Sequence, residues 1–212
     1  MTRFAFFLAA APLFAAIDPQ LATVLNGVET RYNRAKTLQV TFEESYLGSG
    51  RPKRNEAGEL SLRKPGKMRW EYTQPSGKLF VSDGKLFYYY NPISKKAEKM
   101  KMKESEDMRA PLAFLLGKLD FQKDFTDFKV KVDGDDKLVI AKPKSERLPY
   151  KQVEFRVTPH MEIRQLIVSG HDDAILVFRF ANEKVNPVLD EAIFQFDLPP
   201  GATWNEASAE EK

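Results

Sequence analysis

Two histidines, His160 and His171, are the only imidazoles in the chain, and it contains no cysteine. A thiol nucleophile, a disulfide and a lipid-anchoring cysteine are therefore excluded. General acid–base chemistry would fall to the histidines or to carboxylates. Both histidines stand in turn contexts, Thr158-Pro159-His160-Met161 and Ser169-Gly170-His171-Asp172, where exposed polar residues are the ordinary occupants. Asp133, Asp135 and Asp136 cluster around Gly134. A hard cation wants such oxygens, but an Asp-Gly run is equally the chemistry of a hairpin turn. Neither a P-loop nor a Gly-x-Ser-x-Gly elbow is present. The residues predict no catalytic set, no metal site and no cofactor.

Two other groups of side chains could do work without making or breaking bonds. Lys95, Lys96, Lys99, Lys101 and Lys103 form a basic stripe. It reads either as a solvated strand edge guarded against aggregation or as a docking surface for an acidic partner or anionic headgroups. The whole chain has 33 Lys+Arg against 30 Asp+Glu, a balance too even to point to nucleic acid. Met68, Trp70, Tyr72, Tyr88, Tyr90, Met100 and Met102 recur at alternating positions. Methionine and aromatic side chains make adaptable apolar walls, which serve an ordinary barrel core or a ligand cavity alike.

Elements must position these residues. The chain opens MTRFAFFLAAAPLFAA: a basic start, an apolar stretch and small residues at its end, the layout of a secretory signal over residues 1–16. One domain is expected over 17–204 and a polar tail over 205–212. Asp18-Pro19 suits a helix start, and Leu21, Leu25, Val28, Tyr32 and Ala35 give one apolar face over residues 18–36. From Leu38 the period becomes two. Alternating runs around 38–42, 60–62, 68–72, 79–90, 97–102, 128–140, 153–157, 163–168, 175–180 and 193–196 predict about eleven short strands in an antiparallel sheet or barrel. One segment, DMRAPLAFLLGKLDF, breaks the pattern. Leu112, Leu115 and Leu116 lie near helical spacing after Pro111, so this short helix would plug the barrel or cover a cavity.

The stretch GELSLRKPGKMRWEYTQPSGKLFVSDGKLFYYYNP, residues 58–92, resembles the outer-membrane lipoprotein carrier protein family, LolA. Its Gly-acid-apolar strand, basic-Pro turn, apolar-x-Trp strand, Gln-Pro, Val-Ser-Asp-Gly hairpin and aromatic-x-Tyr-Asn-Pro follow that family's order. Weaker similarity covers the helix before Leu38, Val40-x-Phe42, residues 108–117 and FQFDLPPGATW. The resemblance implies a mainly β fold with helices, an incomplete antiparallel barrel with a helical lid over an apolar cavity. It implies no cofactor and no enzymatic activity. It also implies a periplasmic carrier of lipoprotein acyl chains, loaded by an inner-membrane lipoprotein-releasing ABC transporter and unloading to an outer-membrane receptor.

Carried onto this chain, the resemblance places Met68 and Trp70 on the cavity wall, Phe42 on the first strand, and Leu112 to Leu116 in the lid. Alternation extends the expected wall to Val40, Leu60, Leu62, Tyr72, Tyr88, Tyr90, Met100 and Met102. The family's Arg before the turn proline, which holds the lid, is here Lys64, with Arg63 beside it. Lys lacks the planar fork of Arg, so Lys64 is the first candidate for the latch and Arg63 the second. The chain is expected to be a monomer without a nucleic-acid partner. A periplasmic lipid- or lipoprotein-sensing module on the same fold is the second reading.

Overall fold

The structure, a computed structural model, describes residues 19–48, 53–101 and 119–205. Helix α1 (Pro19–Arg34) comes first, followed by six strands: β1 (Thr37–Leu47), β2 (Arg54–Arg63), β3 (Lys67–Gln74), β4 (Ser76–Asp83), β5 (Leu86–Asn91) and β6 (Lys96–Lys101). A one-turn helix α2 (Phe121–Asp124) leads into β7 (Phe125–Asp133), β8 (Asp136–Pro143), β9 (Tyr150–Val157), β10 (Ile163–Gly170) and β11 (Ile175–Val185). A 3-10 turn (Glu191–Phe194) and a short β12 (Thr203–Trp204) close the chain. The twelve strands form one sheet in the order β12-β6-β5-β4-β3-β2-β1-β11-β10-β9-β8-β7. All pairings are antiparallel except β12 on β6, which is parallel. Among the described residues the two end strands do not pair with each other, so the barrel is incomplete.

The period-two pattern of the sequence separates the sheet's two faces. Leu38, Val40 and Phe42 of β1, Leu60 and Leu62 of β2, and Met68, Trp70 and Tyr72 of β3 are all buried in one core. Across the sheet, Val139, Val153, Phe155, Leu166, Phe178 and Phe180 complete it. Helix α1 lies on this inner face through Leu21, Val24, Leu25, Val28 and Tyr32, the three- and four-residue spacing that keeps one stripe turned inward. Arg31 and Arg34 occupy its last turn, where cations suit the helix's partial negative end. The Asp120 side chain caps α2 by accepting from the Lys123 N–H.

One expectation is corrected by the chain's last segment. Residues 193–196 are not a strand: Ile193 and Phe194 belong to the 3-10 turn, capped by the Asp190 side chain on the Ala192 N–H. The strand that ends the sheet is the two-residue β12, which brings the count to twelve, in line with the expected about eleven. Between β11 and β12 the chain crosses the outer face as a strap. Phe196 stacks on Tyr88 at 5.1 Å and packs against Trp204 at 5.8 Å. Met102, Leu112, Leu115, Leu116, Lys103 and residues 1–16 lie outside the described residues, as does most of the expected tail. Among the described residues no helix is long and apolar enough to cross a membrane.

Candidate functional site

The inner face of β1 to β5 is an aromatic surface. The Phe42 ring meets Trp70 edge-on at 4.8 Å and Tyr72 at 5.1 Å, while Trp70 lies 5.8 Å from Phe178. Trp70 Nε1–H donates to Met68 Sδ at 3.0 Å, so the indole's one polar group is satisfied without water. Gly58 makes the close packing possible. It stands between Phe42 and Tyr72 in the register, and a Cβ there would come within 2.2 Å of the Glu71 carbonyl oxygen.

Val40, Phe42, Leu60, Leu62, Met68, Trp70 and Tyr72 share this face, and Met100 packs against it. Tyr88 and Tyr90 do not, and this corrects their expected place on the wall. The β4–β5 register pairs Ser82 with Phe87 and Phe80 with Tyr89. Phe87 is in the core with Phe80 against it, and Phe80 stacks on Tyr89 at 4.5 Å. Tyr88 faces the other way, onto Phe196, and Tyr90 follows two residues later. The missed inner residues are Phe80, Phe87 and Tyr89. In the run Leu86-Phe87-Tyr88-Tyr89-Tyr90 either frame is aromatic, so the sequence carries no contrast; the hairpin register decides. The lysine stripe also divides: Lys99 and Ala97 share the outer face, with Lys99 5.9 Å from the Trp204 ring centre.

The two latch candidates part company. Lys64 Nζ donates to the Tyr32 carbonyl at 2.8 Å, at the C-terminal end of α1. Burial lowers its pKa. Arg63 points to the outer face, donating to the Leu189 carbonyl and the Glu191 carboxylate, with its guanidinium 5.7 Å from the Phe194 ring centre. Arg63 ends β2 and Lys64 opens the turn that follows, and the two adjacent cations hold different elements.

A second, unforeseen set anchors α1. Arg31 Nε donates to Glu183 at 2.9 Å, and Tyr32 Oη–H donates to the same carboxylate at 2.7 Å. Tyr32 Oη in turn accepts the Ile163 N–H at 2.9 Å. The Glu183 side chain is only 4% exposed, and burial together with that carboxylate raises the Tyr32 pKa well above its ordinary value. Glu183 looks like any solvent acid in the sequence; only the β1–β11 pairing brings it under the helix.

The expected turn residues behave as such. His171 Nε2 lies 3.2 Å from the Leu148 carbonyl oxygen. Asp133 pairs with Arg156 and Asp136 with Arg164. No group of three or more His, Asp or Glu suited to a metal occurs among the described residues.

An open sheet with a helix on its aromatic face narrows the fold, and similarity to known proteins decides the family. The model of the outer membrane lipoprotein carrier protein LolA matches residues 33–197. The chain belongs to the LolA family. A carrier protein of this name from Nitrosomonas europaea is 26% identical over 202 residues, covering 95% of this chain and 97% of that one. One from Chromobacterium violaceum is 29% identical over 199 residues, covering 91% and 88%. Among solved structures, an uncharacterized conserved protein from Thermus thermophilus superposes with a TM-score of 0.54 at 8% identity, covering 88% of this chain and 98% of that one. That likeness concerns the fold.

Proposed function

We propose that the protein is a periplasmic carrier that holds the acyl chains of lipoproteins against the inner face of its open sheet. In this reading it accepts them from an inner-membrane lipoprotein-releasing ABC transporter and gives them up at an outer-membrane receptor. The observation that carries the reading is the aromatic and methionine wall of β1 to β5, capped by a helix that side-chain hydrogen bonds hold down. Family membership supplies the class of cargo.

The physical need is plain. Each acyl CH₂ exposed to water costs about 0.8 kcal/mol, so a multiply acylated chain crosses water only when sheltered. A shelter that must also release its load cannot be a deep permanent cavity. A wall that closes on its own apolar residues when empty meets both demands: cargo replaces those contacts, and the difference sets the affinity. Lys64, through Tyr32, is the latch in this scheme.

The two tryptophans provide the test. Trp70 lies on the inner face and Trp204 on the outer. With brominated acyl chains on a lipopeptide, the Trp204→Phe variant, which reports Trp70 alone, should be strongly quenched. The Trp70→Phe variant, which reports Trp204, should be spared. Quenching of Trp204 without Trp70 would place the cargo on the wrong face and end the proposal.

A further inference from the structure

The apolar wall of β1 to β4 has a definite length. Strand register stacks its inward residues in rungs. Leu38, Leu62 and Met68 form the first, Val40, Leu60, Trp70 and Phe80 the second, and Phe42, Gly58 and Tyr72 the third. The fourth changes chemistry. Glu44 of β1 stands opposite Glu56 of β2, and Lys78 of β4 joins them, with Arg54 and Tyr46, around one polar pocket. At a rise of about 3.3 Å per residue, the step from Leu38 to Glu44 spans about 20 Å. The first rung adjoins Lys64, which holds the end of α1 through the Tyr32 carbonyl.

The charges of the fourth rung are matched among themselves. Lys78 is ion-paired to Glu56, with side chains only 16% and 15% exposed, and its ammonium sits 4.1 Å from the Tyr72 ring centre. The Tyr72 hydroxyl donates to Glu44 Oε2 at 3.1 Å, and the Arg54 guanidinium lies 5.2 Å from the Tyr46 ring centre. Two carboxylates thus stand against two cations. On the other side of β1, Phe178 is opposite Glu44; it is 5% exposed and lies 5.8 Å from Trp70. An apolar chain that ran past Tyr72 would have to part the Lys78–Glu56 pair. Splitting a buried pair leaves uncompensated charge, a greater loss than one or two further buried CH₂ groups return.

We infer that the rung of Glu44, Glu56 and Lys78 is a stop that sets the longest acyl chain the wall accommodates, with the chain's methyl end against Tyr72 and its head toward Lys64. The inference rests on the carrier reading. An extended palmitoyl chain matches the span from the first rung to the fourth. Up to that length each added CH₂ leaves water and tightens binding about fourfold. Beyond it the added carbons are pushed back into water at the head end and contribute nothing.

The test uses synthetic lipopeptides of one sequence that carry a single lauroyl, myristoyl, palmitoyl or stearoyl chain. They are titrated below their micelle-forming concentrations against the full-length protein, with Trp70 fluorescence as the signal. Each step from lauroyl to palmitoyl should tighten binding on the order of tenfold, and the step to stearoyl should add nothing. The double variant Glu56→Leu/Lys78→Met removes one charge of each sign and opens the stop, so stearoyl should again gain on the order of tenfold. Exchanging a buried pair for apolar residues is commonly tolerated, and thermal melting checks the fold; Glu44→Leu, at the same level on β1, serves where the double variant does not fold. A gain that continues undiminished to stearoyl in the unaltered protein overturns the inference and leaves the carrier reading standing, as does a plateau that stays at palmitoyl in the folded variants. Failure of every lipopeptide to bind overturns the carrier reading and the inference with it.

Discussion

Glu44 and Glu183 are acids that the fold draws inward, with opposite surroundings. Glu183 lies between a guanidinium and a phenol; Glu44 takes a phenol alone as its donor. Burial raises the Glu44 carboxyl against the pull of Lys78, Arg54 and the Tyr72 hydrogen bond, and that has a pH consequence. A carboxyl with a raised folded-state pKa favours the protonated form in the fold, so its stability benefit is full in acid, below the unfolded value. It is lost as the pH rises through the higher folded-state value. Glu44→Gln removes this dependence. The variant should melt higher than the parent near neutral pH, and the two should converge as the pH falls through the ordinary carboxylate range; melting curves across that range check it. A gap that widens in acid would mean that Glu44 is stabilised as a carboxylate. Period two from Leu38 through Phe42 already pointed Glu44 inward, but Glu43-Glu44 reads as a solvated pair because residue type speaks louder than phase.

Elements were legible where the two faces differ in chemistry and illegible where they do not. Met68, Trp70 and Tyr72 alternate with Lys67, Arg69 and Glu71, and the structure buries the apolar set. Tyr88, Tyr89 and Tyr90 offer no such contrast, so the frame of β5 rests on the two-residue turn after Asp83, where Gly84 has φ of 98°. The strap after β11 has neither period; its Phe194, Phe196 and Trp204 gain meaning only because Arg63, Arg69 and Tyr88 face outward beneath them. Gly58 sits mid-strand in β2. There the missing Cβ lets the neighbouring β3 backbone approach. Gly58→Ala would press on the Glu71 carbonyl and should cost about 1–3 kcal/mol, the range for overpacking. Chemical denaturation measures this directly, and an unchanged midpoint would show that β2 and β3 separate easily.

For the molecule as a whole, the inner face must be both core and binding surface, because the core that α1 shares contains the residues the carrier reading assigns to cargo. Stability and affinity are then opposed. The Tyr32 hydroxyl is the place to measure this, since it joins α1 to β11 through Glu183 and to β10 through the Ile163 N–H and touches none of the aromatic wall of β1 to β5. Tyr32→Phe leaves a buried donor and a buried carboxylate each short of a partner, a loss of about 2 kcal/mol. If α1 must lift for cargo to enter, the closed form loses that stabilisation while the loaded form loses none. The binding-competent fraction rises, and the apparent dissociation constant falls in proportion. A loss of that size corresponds to roughly thirtyfold tighter lipopeptide binding at most, accompanied by a lower melting temperature and slower release. A Tyr32→Phe protein that melts lower yet binds lipopeptide with unaltered affinity would show that α1 stays in place during loading, and the moving cover would then have to be sought elsewhere in the chain.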